Sequence, residues 1–147
     1  MSIPVSDIIA SVPVTFVGGN ESAIAATVEY DSRSVQKGSL FIAIEGFASD
    51  GHDYIEMAIE KGASIIIVSE ERREEFLFVI EKGATLLYGK NTRKILSAIS
   101  SLFYNHPSRG VVVIGVTGTN GKTSITYMLE NIFKESGYSV GVIGTIN

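Results

Sequence analysis

The chain has 147 residues, with 12 basic and 16 acidic side chains and a net charge of −4. That balance argues against the basic face a nucleic-acid partner requires, and the absence of cysteine excludes disulfides, thiol catalysis and cysteine–zinc sites. His52 and His106 are the only histidines and are too far apart in sequence to suggest a metal site.

No apolar run approaches the length of a membrane span. Met1 to Phe16 lacks the basic start of a secretory signal, so a cytoplasmic protein is expected. Residues 3–12 pattern as a short helix with Val5, Ile8, Ile9 and Val12 on one side, and Thr15 to Val17 as a short strand before the Gly18-Gly19-Asn20 turn. Ala23 to Tyr30 alternates, with Ile24, Ala26, Val28 and Tyr30 on one face, and reads as a half-buried strand. Ser39 to Ile44 is the next strand.

Between these strands lies Asp31-Ser32-Arg33. The hydroxyl and neighbouring amides suit a phosphate, with Arg33 adding charge. The same residues suit a capped turn with Arg33 paired to a surface carboxylate, and turn propensity favours that second reading. Glu45 to Asp53 is a loop in which His52 reads as a structural or helix-start residue.

A helix follows from Tyr54, with Gly62 as its stop signal. Ile65 to Val68 is a buried strand, and Ser69 caps a predicted helix over Glu70 to Lys82 with Phe76, Leu77, Val79 and Ile80 inward. Thr85 to Tyr88 is a strand. Thr92 is expected to cap a helix to Tyr104, with a stripe of Ile95, Leu96, Ile99, Leu102 and Phe103. Alternating strands and helices predict an α/β layer fold. Pro107 and Gly110 mark residues 105–110 as a linker, which divides a domain over 1–104 from a second segment over 111–147.

In the second segment, Val111 to Val116 reads as a buried strand, followed by Thr117-Gly118-Thr119-Asn120-Gly121-Lys122-Thr123. Next comes a helix with Ile125, Met128, Leu129, Ile132 and Phe133 on one stripe, and a final strand over Ser139 to Ile143. Strand, glycine loop, Lys-Thr and helix form the context of a phosphate-binding loop. Gly118 and Gly121 free the backbone to turn its amides inward, and the helix start adds its dipole. Lys122 supplies charge for terminal phosphates, and Thr123 a hydroxyl for Mg²⁺. The general pattern wants glycine at position 116, where valine stands, with Gly115 beside it. The competing reading is a glycine-rich strand-to-helix turn. A phosphate-loop domain needs further strands and a later acidic residue, so a fragment of a longer enzyme is expected.

The stretch Ile114 to Thr123, with its displaced first glycine, resembles the ATP-dependent Mur ligases of peptidoglycan synthesis. So do Tyr30-Asp31-Ser32-Arg33, Gly38 to Ala43, Gly46 and Asp50-Gly51-His52, which are similar to that family's uridine-diphosphate domain. Phe103 to Ser108 and Gly144-Thr145-Ile146 are similar to the member that adds the third amino acid to UDP-N-acetylmuramoyl-L-alanyl-D-glutamate. The member that adds a D-Ala-D-Ala dipeptide is the alternative.

The resemblance implies an α/β N-terminal domain with a mixed sheet, followed by the first strand–helix–strand piece of an ATP-binding domain. It implies ATP and Mg²⁺ as cofactors, and as partners UDP-N-acetylmuramoyl-dipeptide and an amino acid, lysine or meso-diaminopimelate, joined through an acyl phosphate. Neither nucleic acid nor membrane insertion is implied, and a monomer is expected. Tyr30, Ser32, Arg33, Phe47, Ala48 and Ser49 would hold the UDP-substrate. Gly118, Thr119, Asn120, Gly121, Lys122, Thr123 and Ser124 would hold ATP, with Lys122 catalytic and Thr123 on the metal. By itself the chain is expected to bind without turning over.

Overall fold

A computed structural model of the protein describes residues 1–46 and 49–144. It divides into two compact units, Met1–Pro107 and Ser108–Asn147.

In the first unit, β1 (Ile3–Pro4) leads into α1 (Val5–Ser11), followed by β2 (Thr15–Gly18), β3 (Ile24–Ala25), β4 (Thr27–Glu29) and β5 (Ser39–Ile42). Next come α2 (Ile55–Glu60), β6 (Ile65–Ser69), α3 (Phe78–Glu81), β7 (Thr85–Gly89) and α4 (Thr92–Phe103). The main sheet runs in the order β2-β7-β6-β5-β4. Strands β4 to β7 pair in parallel, and β2 lies antiparallel on β7. Strands β5 and β6 are covered on both faces, which explains the apolar runs Leu40 to Ile42 and Ile65 to Val68.

Alternate residues serve opposite layers. Leu40, Ile42, Ile65 and Ile67 pack with Val5 and Ile8 of α1 and Ile95 and Ile99 of α4. Phe41, Ile66 and Val68 pack with Ile55, Ala58, Phe76 and Val79 on the other side.

The structure corrects several expectations. The alternating stretch from Ala23 is split between two sheets. Strand β3 pairs antiparallel with β1, while β4 joins the main sheet. At the switch the Ala26 amide bonds the Gly38 carbonyl, and Ala25 is buried in place of Ile24, which is exposed. The helix expected over 70–82 is a 3₁₀ stretch, Glu70–Phe76, followed by short α3. Its i,i+3 spacing joins Arg72 to Glu75, and Leu77 points outward at 44% exposure. The cap of α4 is Asn91, whose side chain accepts from the Lys94 amide at 3.0 Å, and Thr92 is the first helical residue.

The second unit holds α5 (Lys122–Glu135), as expected. Neither 111–116 nor 139–143 forms a strand. A parallel strand exists only through the ladder to its neighbours, and among the described residues no backbone group bonds 111–116. Val112 is accordingly 90% exposed, and Ile125, Met128 and Ile132 of α5 are exposed as well. The helix stands on its own hydrogen bonds and a Lys134–Glu130 pair at 2.7 Å. Among the described residues no helix is long and apolar enough to cross a membrane.

Candidate functional site

Because β4 to β7 are parallel, the segments that follow them all emerge at one edge of the sheet. That carboxyl edge is where open α/β sheets bind ligands. Tyr30 to Arg33 follows β4, the 43–50 loop follows neighbouring β5, Ser69 ends β6, and Lys90-Asn91 follows β7.

The turn after β4 is held by its own charges. The Asp31 carboxylate accepts from the Arg33 amide at 2.9 Å, from Nε at 3.0 Å and from Nη2 at 2.7 Å. Arg33 is thus paired within the turn, as the capped-turn reading expects, although its partner is two residues away. The Arg33 hydrogen bonds hold the Asp31 carboxyl at about 2, down from 3.8. A carboxylate depressed in this way supports the folded turn above pH 3.8 and loses that support as pH falls through about 2. Carbon-13 titration is expected to place the Asp31 midpoint near 2, and Arg33→Ala to return it toward 3.8. An unchanged midpoint in the variant removes Arg33 as the cause. Ser32 is buried, at 7% exposure, and Tyr30 is exposed.

The loop after β5 is closed at its base. Glu45 and Asp50 form an antiparallel bridge, the Gly46 amide bonds the Ser49 carbonyl, and the Gly51 amide bonds the Ile44 carbonyl, each at 2.9 Å. A Cβ on Gly51 would lie 2.6 Å from the Ile44 nitrogen, so only glycine fits there. Arg93 Nη2 donates to the Glu45 carbonyl at 2.8 Å and ties the loop to α4. Ser49, next to the closing bridge, is exposed. Phe47 and Ala48 lie outside the described residues.

His52 anchors this loop from beneath and is 4% exposed. Its Nε2 accepts from the Ser69 amide at 3.1 Å, which places the proton on Nδ1, facing Asp50 Oδ1 at 2.6 Å. Arg72 Nη1 donates to the other Asp50 oxygen at 2.6 Å. Burial alone would raise the Asp50 pKa, but the His52 amide and ring and the Arg72 charge outweigh it and leave it lowered. The structural reading of His52 therefore holds. Arg72 lies in the mixed charge run Glu70 to Glu75, whose sequence pattern is that of a solvated face. At the other end of the same edge, Pro13, Thr15, Glu70, Tyr88, Lys90 and Lys94 line a cleft of about 530 Å³ that no motif announced.

In the second unit, Gly118 and Gly121 take φ of 150° and 76°. A Cβ on Gly121 would meet nothing within 4 Å, so that glycine serves the backbone angle and not space. Lys122 Nζ folds over the loop and donates to the Gly118 carbonyl at 2.6 Å. The first amides of α5 have no intrahelical acceptor. The Thr123 and Ser124 hydroxyls have no hydrogen-bond partner among the described residues. A left-handed glycine, a helix start and a lysine on one short loop fit a polyphosphate. Among the described residues no acidic cluster could hold a metal by itself, so Mg²⁺ would rest on Thr123 and the phosphates.

Residues 25–104 match the Mur ligase family, catalytic domain. The chain belongs to the Mur ligase family. Residues 116–147 match the Mur ligase middle domain. A Mur ligase of Clostridioides difficile (strain 630), UDP-N-acetylmuramoyl-L-alanyl-D-glutamate–2,6-diaminopimelate ligase, is 50% identical over 96% of this chain and 28% of its own length. The protein of the same name from Clostridium tetani is 39% identical over 95% of the chain and 28% of its own length. The chain thus spans about 28% of these Mur ligases. MurF from Acinetobacter baumannii shares the fold at a TM-score of 0.64 and 19% identity, over 92% of this chain and 28% of that one. MurF from Thermotoga maritima, solved with ADP, gives a TM-score of 0.52 at 25% identity, over 74% of this chain and 23% of that one.

Proposed function

We propose that this chain carries the substrate domain and phosphate loop of an ATP-dependent ligase. That ligase adds the third amino acid to UDP-N-acetylmuramoyl-L-alanyl-D-glutamate in the cytoplasm. The names of the relatives favour 2,6-diaminopimelate as the amino acid. One observation carries the reading: the Tyr30–Arg33 turn and the 45–50 loop leave adjacent parallel strands at the ligand-binding edge.

In this reading residues 1–104 form the UDP-substrate domain, 105–110 the linker and 111–147 the opening of the ATP-binding domain. Tyr30, Ser32, Arg33, Phe47, Ala48 and Ser49 contact the UDP-substrate, and Arg33 acts with its charge already shared with Asp31. Gly118 to Ser124 hold the phosphates. ATP, when bound, supplies the phosphoryl group that activates the substrate carboxylate. Lys122 stabilises charge on that group, and Thr123 offers its hydroxyl to Mg²⁺.

By itself the chain is a binding module and a monomer. The unpaired 111–116 segment supports the module reading, since a phosphate loop works from a sheet that fixes its position. Calorimetry on the chain with UDP-N-acetylmuramoyl-L-alanyl-D-glutamate is expected to show saturable one-to-one binding, with no ADP formed when ATP and diaminopimelate are added. The absence of binding heat sinks the substrate-domain reading, and steady ADP production sinks the module reading.

A further inference from the structure

Lys61 stands at the end of α2, directly before Gly62. It is 29 residues from Ser32 in sequence, yet its Nζ donates to the Ser32 carbonyl and to the Arg33 carbonyl, both at 3.0 Å. Its position is set firmly. Gly62 takes φ of 98°, and a Cβ there would lie 2.9 Å from Lys37 Cα. The Gly38 amide bonds the Gly62 carbonyl at 2.8 Å. The end of α2 is thereby pinned to the segment that joins the Asp31–Arg33 turn to β5.

Two consequences follow for the turn. The first is geometric. With its carbonyl committed to Lys61, buried Ser32 keeps both its amide and its hydroxyl without a hydrogen-bond partner among the described residues. The hydroxyl is open to solvent rather than sealed in the core, so amide and hydroxyl together are two donors that an acceptor arriving from solvent can meet. The second is electrostatic. Asp31 and Arg33 neutralise one another through their paired contact, while Lys61 makes no direct ion pair among the described residues and acts on Asp31 only through space. The remaining charge of the turn is the Lys61 ammonium.

We propose that Lys61 is a positioning residue for the substrate turn. It fixes the Ser32 peptide so that its amide and hydroxyl face an anionic ligand, and it supplies the net positive charge that selects a nucleoside diphosphate over the bare nucleoside. The proposal rests on the reading of Tyr30–Arg33 as the UDP-substrate turn. Sequence offers little signal for it, because a lysine ahead of a stop glycine reads as a cation on a helix dipole.

The test uses the full 147-residue chain with two probes, uridine and uridine diphosphate. The wild-type chain binds the diphosphate more tightly. In Lys61→Met the diphosphate affinity falls roughly fivefold more than the uridine affinity, the scale of one exposed charge contact. The salt dependence of diphosphate binding becomes shallower in the same variant. Lys61→Arg restores both. Thermal melts confirm that each variant folds. Equal losses for the two probes assign Lys61 a purely structural role and overturn the proposal, as does an unchanged diphosphate affinity in Lys61→Met. A wild-type chain that binds neither probe overturns the substrate-turn reading and this proposal with it.

Discussion

Lys122→Ala, introduced into an enzyme of the relatives' full length that carries these residues, is expected to lower turnover by about 10²–10³-fold, the range for removing one preorganised donor at developing charge. Several kinds of donor converge on the loop. The left-handed Gly121 opens α5, whose first amides have no acceptor within the helix. Amides and the helix dipole persist in the variant, so phosphate binding weakens while the charge that answers the moving phosphoryl group is lost. The loss therefore falls mainly on kcat, because an interaction realised in the transition state is the one removed. Lys122 also donates to the Gly118 carbonyl at 2.6 Å. Alanine frees that carbonyl in a solvent-exposed loop, where water replaces the donor at little cost. Lys122→Arg keeps a cation but exchanges a compact ammonium for a planar fork and recovers only part of the rate. ADP release measured with UDP-N-acetylmuramoyl-L-alanyl-D-glutamate, ATP and diaminopimelate decides the matter. Near-normal ADP release by Lys122→Ala removes this loop from the chemistry.

Local pattern and long-range partnership divide what the sequence could show. Strands β5 and β6 are legible because a run such as Ile65-Ile66-Ile67-Val68 has no better place than a sheet covered on both faces. The stripe of α4 is legible from its spacing, and Ile95 and Ile99 are its most buried members. The main-sheet order is not legible, since it depends on which strands meet across tens of residues. The break at Ala26 shows why. Its alternation is that of one strand, yet β1 claims Ala25 and β5 claims Thr27. Val111 to Val116 makes the same point in reverse, since its composition is that of a buried strand and it has no ladder. At the site, glycines and the Asp-Ser-Arg turn carry a local signature. Lys61 and Arg72 do not, because each acts on a loop 22 or more residues away.

His52→Ala is expected to destabilise the first unit by about 3 kcal/mol, through the lost packing and the buried groups left unpaired. Three attachments go at once. The imidazole packs against Phe76, with ring centroids 5.5 Å apart. It accepts from the Ser69 amide at the end of β6 and donates to Asp50 at the base of the loop. Among the described residues, the Asp50 side chain then keeps the amide of residue 52 and Arg72 as partners. Set against a total stability of about 5–15 kcal/mol, the change lowers the melting temperature of a unit this size by about 10–20 °C. Two half-replacements separate the attachments. His52→Gln can place an oxygen where Nε2 meets the Ser69 amide, and His52→Asn can place an N–H where Nδ1 meets Asp50. Each is expected to recover about 1 kcal/mol. The Asn variant should preserve slow hydrogen exchange at Gly51 in the loop base, and the Gln variant at Ser69. Urea unfolding followed through the amides of β5 and β6 reads the stability of this unit directly. If His52→Ala unfolds within about 0.5 kcal/mol of the wild-type chain, as an ordinary surface change would, the imidazole is not what holds the 45–50 loop against the sheet.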